Sequence, residues 1–203
     1  MIRAAVCNTI FIACILWGQS SSAQLQNDSV FQKGTIASFQ FKDPVNGKNI
    51  KLNEQILQTQ LVAYVFISPE CPLCQNYMSL LNTLQLKYSD VMKLIGIVPG
   101  KAYTAVDVTS FKKKYKVRFL LYIDTKKQFT TYLHAATTPE VIVLNNDGAL
   151  VYKGAIDDRL NKLGERRVNV SENYLSDAID QYKKDKVVIV KRRKAIGCTI
   201  NDF

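Results

Sequence analysis

The chain has a single histidine, His134, among 203 residues. That excludes multi-histidine metal sites and leaves one candidate base for a Cys–His nucleophile pair. Cysteine is sparse too. There are five, and Cys7 and Cys14 fall in the N-terminal segment, leaving Cys71, Cys74 and Cys198 further on. Three thiols cannot supply a dense disulfide framework. Acidic side chains are under-represented, at 17 against 27 lysines and arginines, for a formal net charge of +10. There is no internal repeat, no long low-complexity stretch and no composition shift that marks a second domain. The one markedly apolar terminal run, residues 6–17, is too short for a comfortable membrane span.

That run instead reads as part of an export signal over residues 1–23. Arg3 supplies a positive start, and Ser21-Ser22-Ala23 offers small residues for cleavage before Gln24. Cys14 follows Phe11-Ile12-Ala13, a loose match to a lipoprotein cleavage box. Phe stands where Leu is usual, so a lipid anchor at Cys14 is not expected. A periplasmic or extracellular location follows as the expectation. In such a setting the clusters Lys112-Lys113-Lys114, Lys183-Lys184 and Lys191-Arg192-Arg193-Lys194 read first as solvated surface. Attraction to acidic partners or to an anionic membrane surface comes second, and nucleic acid is not expected as a partner.

Residues 24–34 read as a loose lead-in, 35–185 as one domain, and 186–203 as a basic tail carrying Cys198. A chain of this size buries about 70% of its unfolded surface, so its core can stand without disulfide staples. A Cys71–Cys74 bridge would close a loop of only four residues, worth about 2 kcal/mol before strain. The pair is better explained by chemistry.

Its position supports that. The apolar run over residues 61–67 has strand character, and Leu73, Tyr77, Leu80, Leu81, Leu84 and Tyr88 then recur at helical spacing. Cys71-Pro72-Leu73-Cys74 therefore sits on a strand-to-helix turn. Unpaired backbone N–H groups and the helix dipole there favour a thiolate at the first cysteine. A thiol of reference pKa about 8.5 is roughly 3% thiolate at pH 7, and one lowered to about 7 is half thiolate. Lower intrinsic nucleophilicity offsets part of that gain.

Further along, strands are predicted over 92–98, 119–123 and 141–144, with a hairpin through Asn145-Asn146-Asp147-Gly148 into residues 149–152. Residues 36–41 alternate as an irregular strand, and Pro44 to Lys48 forms a turn. Helices are predicted over 104–116 and 125–134, and over a stretch capped by Ser171 that carries Tyr174, Leu175, Ala178, Ile179 and Tyr182. Residues 155–170 read as polar and irregular. The order is an α/β layout, a central mixed β-sheet flanked by helices.

Four pieces of sequence, in order, resemble the thioredoxin-like superfamily, and within it the redoxin branch of peroxiredoxin-like proteins and exported thiol–disulfide oxidoreductases. They are Ser68-Pro69-Glu70-Cys71-Pro72-Leu73-Cys74, Thr138-Pro139-Glu140-Val141, Asn146-Asp147-Gly148, and Tyr152-Lys153-Gly154-Ala155-Ile156-Asp157-Asp158. The resemblance covers about residues 34–185 and implies a thioredoxin-like fold. It also implies a cis-proline at Pro139 facing the CxxC, with Thr138 offering its backbone to an extended substrate. The implied activity is thiol–disulfide exchange with protein or small-molecule disulfides, with Cys71 as nucleophile, Cys74 as resolving thiol and an unidentified thiol as electron donor. No cofactor and no metal are implied. The CPxC pattern is nearer to glutaredoxins than to the CGPC of thioredoxins.

The departures shape the alternatives. Glu70 stands where thioredoxins have Trp, and reads either as a proton-transfer or pKa-tuning group or as an exposed turn residue. Peroxiredoxins have Pro seven residues and Thr or Ser three residues before the reactive cysteine. Here Tyr64 and Ser68 occupy those positions, so half of the thiol peroxidase pattern is present. Gln75, not His, follows Cys74, which excludes a haem attachment site. Cys71, Cys74 and His134 could together suit copper, the third reading, although copper chaperones of this superfamily use CxxxC. Asp157 and Asp158 read as loop-capping acids. Cys198 reads either as an accessory resolving or interchain thiol, or as a small buried hydrophobe beside Ile196 and Ile200.

Overall fold

The computed structural model describes residues 30–52, 56, 58–162, 165–167 and 169–200. The predicted export signal over residues 1–23, Cys14 included, lies outside these residues. Helix α1 (Lys33–Ser38) leads into a hairpin of β1 (Gln40–Lys42) and β2 (Asn49–Lys51). Then come β3 (Leu61–Phe66), α2 (Pro72–Lys87), β4 (Met92–Pro99), α3 (Ala105–Lys114), β5 (Leu120–Asp124) and α4 (Gln128–Tyr132). The second half carries β6 (Thr137–Thr138), β7 (Glu140–Asn145), β8 (Leu150–Gly154), β9 (Leu160–Lys162), β10 (Glu165–Arg166) and α5 (Tyr174–Lys183). Two short strands close it, β11 (Arg192–Arg193) and β12 (Cys198–Thr199).

Eight strands form one mixed sheet in the order β11-β8-β7-β3-β4-β5-β1-β2. β3, β4 and β5 are parallel, as βαβ crossovers through α2 and α3 require. β7 runs antiparallel to β3, and β8 antiparallel to β7. Both faces of the sheet are covered. Leu61, Ala63 and Val65 pack with Tyr77, Met78 and Leu81 of α2 and with Leu175 and Ile179 of α5. Val62, Tyr64 and Phe66 face Phe129 of α4 and Ile36 of α1. Burial on both sides explains why β3 is apolar at every position instead of alternating.

Three local expectations are corrected. Residues 33–38 are helical, so Ile36 and Ser38 lie on α1 and only residues 40–42 form the strand. One buried side chain, Ile36, anchors that helix, which is too little periodicity to distinguish it from a strand. Ser171 does not cap the last helix. Asn173 holds the N-cap position, and the Ser171 hydroxyl donates to Asp158 Oδ2 at 2.6 Å. The stretch read as irregular, residues 155–170, contains the β9–β10 hairpin.

Candidate active site

Cys71 is the N-cap of α2, with extended backbone (φ −70°, ψ 115°), and Pro72 follows inside the first turn. Proline suits that position because its missing N–H would have no helical partner there. The turn is pinned by Cys71 N–H donating to Ser68 O at 3.1 Å and by Gln75 Nε2 donating to Pro69 O at 2.9 Å. No acidic side chain occupies the first turn of α2 to oppose a thiolate at its N-terminus. Cys71 is 2% exposed and Cys74 fully buried.

The surroundings split the thiols. Hydrogen bonding from Cys74 lowers the Cys71 pKa most. Donation from Cys198 and from the backbone N–H groups of Cys74 and Leu73 adds to this against desolvation, and the value falls from 9.0 to about 4. Cys74 is pushed well above the ordinary range, first by burial and then by its neighbour Cys71. Ser68 N–H donates to Cys74 Sγ at 3.4 Å. Cys198 is raised to about 11, by burial and by its hydrogen bond to Cys71. A thiolate at the helix entrance flanked by two protonated thiols is an arrangement for nucleophilic attack followed by resolution.

The Thr138–Pro139 peptide is cis. Pro139 is buried, and Thr138 O lies 3.3 Å from Cys71 Sγ. The two halves of the motif, 67 residues apart in sequence, therefore meet. The loop before Pro139 is held by a residue that the sequence reading passed over. Glu140 is buried, and its Oε2 accepts from Ala136 N–H at 2.8 Å and Thr137 N–H at 3.4 Å. Lys153 Nζ lies 3.8 Å from its other oxygen. The signal was present in Thr-Pro-Glu, where a carboxylate follows a strand-start proline.

The remaining candidates are placed as follows. Glu70 is exposed on the turn, and the groups that set the Cys71 acidity do not include it. Tyr64 is buried in β3 with its ring 4.9 Å from Phe129, and Ser68 Oγ lies 2.7 Å from Tyr103 OH. Of the peroxidase pattern only Ser68 is present, and its hydroxyl pairs with Tyr103. His134 is exposed at φ 54°, and its carbonyl accepts from Lys153 Nζ. Cys71, Cys74 and His134 do not converge. Among the described residues no cluster of three His, Cys, Asp or Glu side chains could hold a metal. Asp157 and Asp158 are buried and act as caps. Asp157 accepts from Tyr77 OH and pairs with Arg159 at 2.7 Å, and Asp158 takes Ser171 and Arg167. Cys198 Sγ lies 2.7 Å from Cys71 Sγ, brought there by antiparallel pairing of β12 with β6.

The comparisons with known proteins agree with this geometry. The Redoxin family model matches residues 32–166, about two thirds of the chain. None of the curated proteins matches. A hypothetical protein from Sinorhizobium meliloti 1021 superposes with a TM-score of 0.71 at 24% identity, covering 85% of this chain and 93% of its own. An uncharacterized conserved protein from Geobacillus kaustophilus gives 0.72 at 20% identity, covering 87% and 93%. A secreted Mycobacterium tuberculosis disulfide oxidoreductase, described as homologous to E. coli DsbE, gives 0.54 at 17% identity, covering 72% and 97%. With its thioredoxin-like fold, its Cys71-x-x-Cys74 pair and a match over most of the domain, the chain belongs to the Redoxin family.

Proposed function

We propose that this protein is an exported thiol–disulfide oxidoreductase with Cys71 as nucleophile and Cys74 as resolving thiol. The observation that carries the reading is geometric: Cys71 caps α2 beside the cis Thr138–Pro139 peptide, with Cys74 buried one turn further in, and this setting lowers the Cys71 pKa while raising that of Cys74. Membership of the Redoxin family and the likeness to a secreted disulfide oxidoreductase support it. Export rests on Arg3, the apolar run and Ser21-Ser22-Ala23.

In the reaction, the Cys71 thiolate attacks one sulfur of a partner disulfide. The partner's other sulfur leaves as a thiolate and takes a proton from solvent. Cys74 then gives up its proton and attacks Cys71 Sγ, releasing the second partner thiolate and leaving Cys71–Cys74 oxidised. An outside dithiol returns the pair to the reduced state. The backbone of Thr138 beside Cys71 is paired with β12 in this structure, so an extended peptide takes that edge only when β12 moves off it. A thiolate stabilised this strongly also stabilises the reduced pair, which biases its disulfide toward accepting electrons.

Catalysed reduction of insulin by dithiothreitol tests the reading. The wild type should accelerate it and Cys71→Ser should not. Equal rates for the two proteins would refute the assignment.

A further inference from the structure

The segment after α5 reaches back over the active site. Val188 and Ala195 are buried along its path. Lys153 N–H donates to Lys191 O at 2.8 Å and Ala155 N–H to Arg193 O at 3.2 Å, so β11 extends the sheet beside β8. Two glycines permit the approach. A Cβ on Gly154, already at φ 136°, would sit 1.6 Å from Arg193 O. A Cβ on Gly197 would sit 2.2 Å from Thr138 O. β12 then pairs with β6, Cys198 opposite Thr138, and Ile200 N–H donates to Ala136 O at 3.0 Å. The chain thus lays its own strand on the backbone edge that the proposed function gives to substrate. It also places a thiol against the nucleophile at 2.7 Å. A cavity of about 160 Å³ opens beside this strand. It is lined by Ser68, Tyr103, Thr138, Cys198 and Thr199 among others, and by neither Cys71 nor Cys74.

We propose that Cys198 is a third redox thiol: an intramolecular Cys71–Cys198 disulfide alternates with Cys71–Cys74, and reducing thiols reach the buried pair through Cys198. This rests on the proposed exchange activity. Starting from Cys71–Cys74, the Cys198 thiol loses its proton and attacks Cys71 Sγ. The Cys71–Cys74 bond breaks, the Cys71–Cys198 bond forms, and Cys74 leaves as a thiolate that takes up a proton. No electrons enter or leave in this step. An external thiol then attacks Cys198 Sγ from the cavity and releases Cys71 as its stable thiolate. A second external thiol attacks the external sulfur of that mixed disulfide, frees Cys198 and departs as a disulfide with the first. The low pKa of the leaving Cys71 suits the direction of attack.

The test loads reduced protein with oxidised glutathione and follows the adduct by non-reducing peptide mass spectrometry. In Cys74→Ser/Cys198→Ser, glutathione should stay on Cys71. In Cys74→Ser, Cys198 should displace it within the molecule, leaving a monomer bridged 71–198. In Cys74→Ser/Gly197→Ala all the thiols needed are present but the strand is forced off Thr138, and glutathione release should slow at least tenfold. In a second measurement, reduction of the oxidised protein by dithiothreitol should be at least tenfold slower for Cys198→Ser than for wild type. The proposal is overturned if Cys74→Ser holds glutathione as long as the double serine variant does. It is equally overturned if Gly197→Ala leaves release unchanged, or if Cys198→Ser is reduced as fast as wild type or faster. If the double serine variant takes up no glutathione on Cys71, the fault lies instead with Cys71 as nucleophile.

Discussion

Lowering the pH should leave Cys71 reactive where an ordinary cysteine falls silent. Three kinds of donor face its sulfur: the Cys74 thiol, the Cys198 thiol and the N–H groups of the first turn of α2. Together they outweigh burial and bring the value from 9.0 to about 4. At pH 5 such a thiol is still about 90% ionised, and at pH 7 fully so, a change of only about 1.1-fold. A thiol left at its reference value loses about 100-fold in thiolate over the same interval. Reduced protein is treated with iodoacetamide between pH 5 and 8, and alkylation is followed peptide by peptide. Burial makes the absolute rate at Cys71 slow, so the shape of the profile carries the test. The Cys71 rate should be nearly flat. Cys198, raised to about 11, should climb about tenfold per pH unit and serves as an internal reference. A Cys71 rate that falls tenfold per unit between pH 8 and 6 would refute the electrostatic argument. The sign for stability follows. Cys71 has a folded pKa below its unfolded value, so its contribution is complete above about 9 and is lost as pH falls toward about 4. Cys74 and Cys198 are protonated in both states over most of this window and contribute little slope. The reduced protein should therefore lose stability on acidification by up to about 1.4 kcal/mol per unit more than the Cys71–Cys74 oxidised form, in which Cys71 cannot titrate.

Other substitutions probe the scaffold. Asp157→Ala removes the carboxylate that accepts from Tyr77 OH and pairs with the Arg159 guanidinium, and should cost about 3 kcal/mol in urea unfolding. Gly96→Ala places a Cβ 2.6 Å from Leu121 Cδ1 and 3.0 Å from Ile67 and Phe119 side chains, so overpacking of about 1–3 kcal/mol is expected in the same assay. Thr104→Ala removes one half of the capping box with Asp107 at the start of α3 and should cost about 1 kcal/mol. Mass spectrometry of the protein recovered from the medium or periplasm should give an N-terminus at Gln24; an intact Met1 there would contradict cleavage after Ala23, and protein confined to the cytoplasm would contradict the export reading.

The strand–CxxC–helix unit could be read from sequence because two strong patterns meet there. A run buried on both faces stops at residue 67, and helical spacing starts at Leu73. The facing Thr138–Pro139 was reached only through resemblance, since no local pattern links segments 67 residues apart. The contribution of the tail was not legible. β11 is two exposed arginines and β12 only two residues long, so neither carries side-chain periodicity. Their placement is made by backbone pairing and by what Gly154 and Gly197 lack, a Cβ. Cys198 was noticed as a residue, but its position depends on those backbone contacts. Glu140 was missed as the organiser of the loop before Pro139 because its role is to accept backbone N–H groups three and four residues upstream. The copper alternative fails on geometry: His134 turns outward at the end of α4 while both CxxC thiols are buried at the head of α2.

The central claim is that Cys71 attacks disulfides, and trapping tests it most directly. Because Cys198 stands ready to resolve an adduct, the trap must remove both neighbouring thiols. Cys74→Ser/Cys198→Ser, incubated with a disulfide-bonded protein such as insulin, should accumulate a covalent complex joined through Cys71 and released by dithiothreitol. If no such complex forms while Cys71 remains reduced and folded in place, the account of this site is wrong.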